Sequence, residues 1–283
     1  MMAENILGRI KSILQELSNS EKKVGEYILE YPELVITMTT SELADKSGAS
    51  PASVIRFCKS IHVPSFTQLK VNLSAEISTP AKYGYSDIEP NEAIGEIKAK
   101  LLGNAYQSMN ETVALMNNER IEETANVLQN ASVIYIYGIG ASHLVAENIS
   151  QKWSRIGKTS ICGTDSHILV SMFVSAPENS VFIGVSNSGE TTEVIRLIDI
   201  AKKHGIKTIG LSQFGQNTVS LTADISLQTV RANEAELRSA ATSSLHAQFI
   251  AVDILFYVYA TRNYEQNIKH IQKSRQDVEE YKS

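Results

Sequence analysis

The stretch VFIGVSNSGETTEV, residues 181–194, joins a short apolar run to a segment with helical periodicity. The apolar run, residues 181–185, is typical of a buried β-strand, and the apolar residues from Val194 to Ile198 recur at the spacing of an amphipathic helix. Between them lies a loop rich in serine and threonine, which also contains an asparagine, a glycine and a glutamate but no lysine, arginine, histidine or cysteine. This order of strand, hydroxyl-rich loop and helix predicts one unit of an α/β domain.

Four more apolar runs extend this pattern. They occupy residues 133–137, 158–162, 207–211 and 223–228, and helical patterns lie between them. Alternating strands and helices favour a mostly parallel five-stranded sheet with helices on both faces. Longer helical patterns span residues 94–115, 121–128 and 240–260. We expect the first and last of these to form the oligomer surfaces of a homodimer or homotetramer.

The N-terminal part shows helical periodicity alone, and its capping residues predict two short helices joined by a tight turn. Thr39 with Glu42 three residues later fits a capping box, and Gly48 closes the helix that the box opens. Ser50 then provides an N-cap oxygen and Pro51 stands at the first helical position, so a second helix begins at once. This is the helix-turn-helix arrangement, whose second helix enters the major groove of DNA.

The second of these helices has an apolar and a polar face. A rotation of about 100° per residue places Val54, Cys58 and Ile61 on the inner side. The window from residue 46 to residue 75 contains four basic residues and no acidic one, so it would attract the phosphates of a double-stranded DNA operator. The alternative is that the basic residues form only a solvated face of a helical bundle. The residues expected to face outward are Ala52, Ser53, Arg56, Lys59 and Ser60.

Composition excludes several other classes of protein. The chain has 283 residues, of which 43% are apolar and 20% are charged, and these values are typical of globular proteins. A formal net charge of -5 argues against a protein that coats nucleic acid non-specifically. Cys58 and Cys162 form neither a disulfide framework nor a metal-binding cluster. No apolar run approaches the roughly 20 residues of a membrane span, so we expect a cytoplasmic protein with no membrane partner.

A segment with two prolines, TPAKYGYSDIEPN at residues 79–91, predicts a linker between the two parts. We therefore expect a helix-turn-helix domain at residues 1–78 and a linker with the start of a connecting helix at 79–105. An α/β domain at 106–262 and a charged tail at 263–283 complete the predicted organisation.

The hydroxyl-rich loop, residues 186–192, would lie at the carboxyl edge of the sheet, where open α/β sheets bind ligands. Backbone N–H groups and the positive end of the next helix dipole attract an anion there, so a phosphate monoester fits. A second loop, GIGASH at residues 138–143, adds Gly140 and Ser142 at the same edge. Either loop alone could be an ordinary helix cap. The hydroxyl-rich loop lacks the GK[ST] ending of nucleoside triphosphatases. In the second loop, His143 replaces the third glycine of a dinucleotide fingerprint. We therefore expect no cofactor and no metal.

These features resemble the RpiR-type bacterial transcription regulators, which join an N-terminal helix-turn-helix domain to a C-terminal sugar isomerase (SIS) domain. The resemblance implies a DNA-binding regulator of carbohydrate metabolism whose SIS domain senses a phosphosugar. It covers nearly the whole chain and rests on residues 17–32, 41–60, 66–73, 137–142, 186–194 and 234–243. It implies operator contacts by Ser50, Ser53, Arg56 and Lys59, and phosphosugar contacts by Ser142, Ser186, Ser188, Gly189 and Thr191; Asn187 and Glu236 complete the predicted ligand site.

Enzymes that share the SIS domain use a glutamate, and often a histidine, to move protons on the open-chain sugar. Glu236 stands approximately at that place, Glu234 competes with it, and His246 follows on the same helix. The chain departs from the family at Leu245, where many members have an arginine, and in the loop at residues 61–66. Because no complete acid and base pair is found, the sequence favours a sensor. A phosphosugar isomerase or lyase that uses Glu236 as its base is the alternative, and a DNA-independent phosphosugar-binding partner of an enzyme ranks last.

Overall fold

The computed structural model of the chain describes residues 6–78, 91–232 and 241–282. These residues form two compact units, one mainly before and the other mainly after residue 115. Most of the predicted linker, residues 79–90, lies outside the described residues, as do Glu234 and Glu236.

The first unit is built from short helices around one apolar core. Leu43, Phe57 and Leu69 are fully buried in this core. The predicted capping box of Thr39 and Glu42 is confirmed by reciprocal hydrogen bonds between side chain and backbone. The helices are α1 (Ile6–Ile13), α2 (Asn19–Glu30), α3 (Pro32–Val35), α4 (Thr40–Ser47), α5 (Pro51–Ser60) and α6 (Phe66–Ser78), and α7 (Ile94–Leu115) follows them in the chain.

The second unit is an α/β domain with one sheet of five parallel strands, which confirms the predicted fold class. The strands are β1 (Ile134–Gly138), β2 (Ser160–Cys162), β3 (Val181–Val185), β4 (Lys207–Gln213) and β5 (Ile225–Thr229). Their order in the sheet is β2-β1-β3-β4-β5. The helices are α8 (Asn118–Asn130), α9 (Ala141–Arg155), α10 (Ser166–Val174), α11 (Thr192–Lys203), α12 (Thr218–Thr222), α13 (Ser243–Arg262) and α14 (Tyr264–Lys282).

Alternation of side chains along the strands fills both faces of the sheet. In β1, Ile136 belongs to the core shared with α8, α9 and α13, whereas its neighbour Tyr135 belongs to the core shared with α10 and α11. Trp153 of α9 is fully buried, and its ring meets that of Phe256 of α13 edge-on, with the centroids 5.3 Å apart. Such edge-to-face contacts stabilise packing beyond the area that they bury.

The strand order creates a switch point at the carboxyl ends of β1 and β3. From β1 the chain crosses to β2 on one side, and from β2 it returns to β3 on the other side. The connections that follow β1 and β3 therefore run in opposite directions and leave a crevice between them. Open parallel sheets bind their ligands at such a crevice.

Helix α13 differs from the sequence prediction. This helix of 20 residues is, by length and composition alone, long and apolar enough to cross a membrane. We had expected no apolar run of that length. Polar residues such as Gln248 and Asp253 interrupt the apolar ones, so the sequence contains no uninterrupted apolar stretch. Ala251, Val252 and Leu255 are buried against the sheet, as in the core helix of an α/β domain.

Both cysteines are free thiols. Cys58 is buried in α5, and this burial raises the pKa of its thiol to about 11. Cys162 is partly buried at the end of β2, where burial and the negative charge of Glu147 raise its pKa to about 11. Among the described residues, neither belongs to a group that could hold a metal ion.

Candidate functional site

The register of the sheet brings the two predicted loops together. Gly138, the last residue of β1, pairs with Val185, the last residue of β3, so the loops after these strands leave the sheet side by side. Ser142 lies in the first turn of α9, and Thr191 is the N-cap residue of α11. The hydroxyl-rich loop therefore stands at the switch point of the sheet.

The helices α9 and α11, which start at this crevice, both lack a side-chain cap. Helices α8, α10 and α12 of the same unit are each capped by an asparagine or aspartate side chain that accepts hydrogen bonds from the first turn. No side chain in the described part of the chain caps α9 or α11 in this way. The N–H groups of these helix starts and the positive ends of two helix dipoles thus lie at one crevice, which favours an anion.

Hydrogen bonds within the hydroxyl-rich loop hold its shape. Ser186 is 1% exposed, and its hydroxyl oxygen lies 2.8 Å from that of Thr191. The same oxygen accepts hydrogen bonds from the backbone N–H groups of Gly189, at 3.1 Å, and of Thr191, at 3.4 Å. Ser188 is exposed. Ser186 therefore shapes the loop from inside, while Ser188 presents a hydroxyl to solvent.

A buried amide supports the loop from α13. Gln248 is 1% exposed, and its Nε2 donates to Oδ1 of Asn187 over 3.4 Å. Gln248 was not predicted from the sequence, although a polar residue between the inward positions Ala247 and Ala251 is a signal that could have indicated it. His246 is a neighbour in the same turn, and its Nδ1 has no hydrogen-bond partner among the described residues.

The remaining predicted ligand residues lie at the same edge or outside the described chain. Ser142 is 9% exposed at the start of α9. His143, which replaces the third glycine of the fingerprint, lies with Nδ1 3.9 Å from Sγ of Cys162 and Nε2 3.4 Å from Oε1 of Glu147. Glu236 lies outside the described residues, so its role stays a prediction.

The helix-turn-helix has the form that the sequence predicts. Helix α4 ends at Ser47, and Gly48 takes the left-handed conformation with φ of 65°. Helix α5 begins at Pro51, with the hydroxyl of Ser50 as its cap. Ser50 is exposed beside the start of this helix.

The prediction that Ser53 faces outward is wrong. Ser53 is 2% exposed, and its Oγ lies 2.9 Å from that of Ser50. Because the Ser50 hydroxyl also accepts a hydrogen bond from the backbone N–H of Ser53, the cap covers this side chain. Arg56 donates to Oγ of Ser53 at 3.0 Å, so Ser53 orients Arg56 within α5.

The exposed residues of α5 are Pro51, Ala52, Ile55, Arg56 and Lys59. Ile55, which was not among the residues predicted to face outward, is 43% exposed. An apolar side chain on such a face can contact the methyl group of thymine, while arginine and lysine suit guanine and phosphate.

Two charged side chains of the first unit, Lys70 and Glu21, make contacts within that unit. Lys70 donates to the backbone oxygen of Met38 at 2.9 Å, so this basic residue of the 46–75 window serves packing. Burial works to raise the pKa of Glu21, but hydrogen bonds from Ser18 and Ser60 and the charge of Arg56 outweigh it and lower the pKa. The Glu21 carboxylate therefore stays ionised close to Arg56.

Comparison with known proteins identifies the family. The SIS domain model matches residues 127–258, and the model of the helix-turn-helix domain of the rpiR family matches residues 4–80. The uncharacterized HTH-type transcriptional regulator YbbH of Bacillus subtilis is 38% identical over 278 residues, which are 98% of each chain. The chain belongs to the RpiR family of transcriptional regulators. A second such regulator, from Caldanaerobacter subterraneus, is 31% identical to this RpiR-family protein over 95% of each chain.

Solved structures share the fold of this RpiR-family regulator. The NanR protein of Vibrio vulnificus, complexed with ManNAc-6P, has a TM-score of 0.60 and 24% identity, and the match covers 97% of this chain and 98% of that chain. The sugar isomerase domain of an RpiR transcription factor from Sphaerobacter thermophilus has a TM-score of 0.58 and 19% identity, over 64% and 99% of the two chains. The protein is thus a helix-turn-helix regulator with a SIS domain. Its relatives are transcriptional regulators, whereas SIS domains also occur in isomerases.

Proposed function

We propose that this RpiR-family regulator binds a phosphosugar in the crevice between β1 and β3 and that this binding changes its affinity for a DNA operator. The observation that carries the proposal is the pair of adjacent helix starts, α9 and α11, that lack side-chain caps beside a hydroxyl-rich loop. A phosphate group suits uncapped N–H groups and hydroxyls. The ManNAc-6P bound by NanR of Vibrio vulnificus, which has the same fold, supports a ligand of this class.

In this proposal the SIS domain is a sensor and not an enzyme. The phosphate is held by the hydroxyls of Ser142, Ser188 and Thr191, with Asn187 and the backbone of Gly189 beside them. Ser186 keeps the loop in shape, and Glu236 contacts the sugar. No catalytic residue is proposed, and the regulators among the relatives support this choice. An isomerase or lyase with Glu236 as its base is the alternative.

Operator contacts are proposed for Ser50, Arg56 and Lys59, with Ile55 as an added apolar contact. All four are exposed at the start of α5 or along its outer face. Ser53 is no longer a candidate for direct contact because the cap of α5 covers it.

We further propose a cytoplasmic homodimer or homotetramer. The exposed apolar side chains of Leu101, Leu102 and Tyr106 on α7 support association through that helix. The domain boundaries at residues 78, 105 and 262 also remain part of this proposal.

Fluorescence anisotropy tests the function with a DNA fragment from upstream of the protein's own gene and a panel of hexose, aminohexose and pentose phosphates. We expect one phosphosugar to shift DNA affinity several-fold. We expect Arg56→Ala to weaken DNA binding by about tenfold or more, because an arginine contact to a base is worth roughly 1–3 kcal/mol. Arg155→Ala is the matched control, since Arg155 is exposed in the last turn of α9, outside the helix-turn-helix. Consumption of a phosphosugar without specific DNA binding would favour the enzyme alternative.

A further inference from the structure

The acidic residue of the hydroxyl-rich loop has a structural partner outside the loop. Glu190 follows Gly189 and would place a negative charge close to the proposed phosphate site. Its Oε1 accepts a hydrogen bond from the backbone N–H of Thr218 at 2.8 Å, and its Oε2 accepts one from the hydroxyl of Thr218 at 2.6 Å. Both oxygens of the Glu190 carboxylate are therefore engaged by Thr218, in two hydrogen bonds near the surface.

Two backbone hydrogen bonds also tie the hydroxyl-rich loop to the end of β4 and the start of α12. The N–H of Gln213 donates to the oxygen of Asn187 at 2.9 Å, and the N–H of Val219 donates to the oxygen of Gly189 at 2.9 Å. The loop is thus attached through Asn187, Gly189 and Glu190 to the last residue of β4 and the first two residues of α12. Of these links, that of Glu190 alone depends on its side chain, so it can be removed by substitution without loss of a backbone group.

We propose that Glu190 is a positioning residue for the phosphosugar site. By binding Thr218, it holds the hydroxyl-rich loop in the shape that receives phosphate before the ligand arrives. A loop that is already ordered loses little conformational entropy on binding, whereas a loop without this link must be ordered by the ligand at a cost in affinity. The link also fixes the position of the carboxylate, which accepts hydrogen bonds from two donors. This inference rests on the proposed function, because it assumes that the loop holds phosphate.

Isothermal titration calorimetry on the full chain tests the inference. The probes are inorganic phosphate, ribose 5-phosphate, glucose 6-phosphate, glucosamine 6-phosphate and ManNAc-6P, and the tightest binder of the wild-type protein is used for the variants. We expect Glu190→Ala to weaken its binding by about tenfold, the lower end of the value of a single hydrogen bond to a charged group. Glu178→Ala is the matched control, since Glu178 is an exposed acid in the loop before β3 and should leave the affinity unchanged.

Further variants separate positioning from general damage to the fold. Glu190→Gln can still accept the N–H of Thr218 and should recover part of the affinity. Thr218→Val removes the hydroxyl but keeps the N–H, so it should weaken binding by a smaller factor. The double variant Glu190→Ala, Thr218→Val should bind no more weakly than Glu190→Ala alone, because both changes remove one link. DNA affinity without sugar should match that of the wild type throughout.

The outcomes that overturn the inference differ from those that overturn the proposed function. If the wild type binds a phosphosugar and Glu190→Ala binds it equally well, or if the effects of the two single substitutions add in the double variant, then Glu190 does not position the site. If the wild-type protein binds none of the five probes, the proposed function fails and this inference fails with it.

Discussion

At the scale of single residues, Gly189 is the most constrained position of the candidate site. Its φ of 73° lies in the left-handed region, which side chains other than glycine rarely adopt. A Cβ atom added there would lie 2.0 Å from Oδ1 of Asn217, far closer than van der Waals contact allows. Glycine is therefore required both by the backbone and by the packing against Asn217.

Substitution of Gly189 by alanine should lower the free energy of unfolding by about 2–4 kcal/mol, measured by urea denaturation, because strain and clash add. Gly205→Ala is the control: its φ is 72°, but nothing lies within 4 Å of the added Cβ. It should therefore show the backbone strain alone, about 1 kcal/mol. Equal losses in the two variants would contradict the clash with Asn217.

Some features of single residues could be predicted from the sequence and others could not. The caps at Thr39 and Ser50 were predictable, since capping depends on neighbours a few positions away in the chain. The inward position of Ser53 was not, because helical rotation takes no account of a cap that covers the side chain. The link between Glu190 and Thr218 joins residues far apart in sequence, so no local sequence pattern predicts it.

At the scale of elements, side-chain hydrogen bonds join the amino ends of β4 and β5. Oδ2 of Asp224 accepts hydrogen bonds from the N–H and the hydroxyl of Thr208, both at 2.8 Å, and Nζ of Lys202 lies 3.3 Å from Oδ1. Burial works to raise the pKa of Asp224, but the hydrogen bonds from Thr208 and the charge of Lys202 outweigh it and lower the pKa.

This lowered pKa makes the stability of the sheet depend on pH. The folded-state pKa of Asp224 is below its ordinary value of 3.8, so its stabilisation is fully present above that value and is lost as the pH falls through the folded-state pKa. Between about pH 5 and pH 3, the free energy of unfolding should therefore fall more steeply in the wild type than in Asp224→Asn. Urea denaturation at stepped pH measures both slopes, and parallel curves would count against this role.

Most elements were predictable from the sequence because each strand is a short apolar run between turn residues. Run 181–185 coincides with β3, and the helical pattern at residues 94–115 coincides with α7. Helix α13 was harder, since apolar residues such as Tyr257 also stand on its exposed side and weaken the apolar periodicity, although its buried residues lie along one face. The support that Gln248 gives to Asn187 arises only when α13 packs beside the loop.

At the scale of the whole molecule, the proposed function requires that an operator site is coupled to a ligand site. Coupling between two binding equilibria is reciprocal. If the phosphosugar changes operator affinity by some factor, saturating operator should change phosphosugar affinity by the same factor, and calorimetry with and without operator checks this. Arg56→Ala should keep its phosphosugar affinity but lose its response to operator. If phosphosugar affinity did not depend on operator and DNA affinity did not depend on phosphosugar, the proposed coupling would be wrong.

The two high thiol pKa values have a practical consequence for such experiments. With a pKa near 11, about one thiol in ten thousand is a thiolate at pH 7, and thiolate is the form that reacts with maleimide dyes. We therefore expect the native chain to react only slowly with these reagents. A fluorophore could be attached to one introduced surface cysteine while Cys58 and Cys162 stay in place, and it would report movements of the DNA-binding helices in the otherwise unaltered protein.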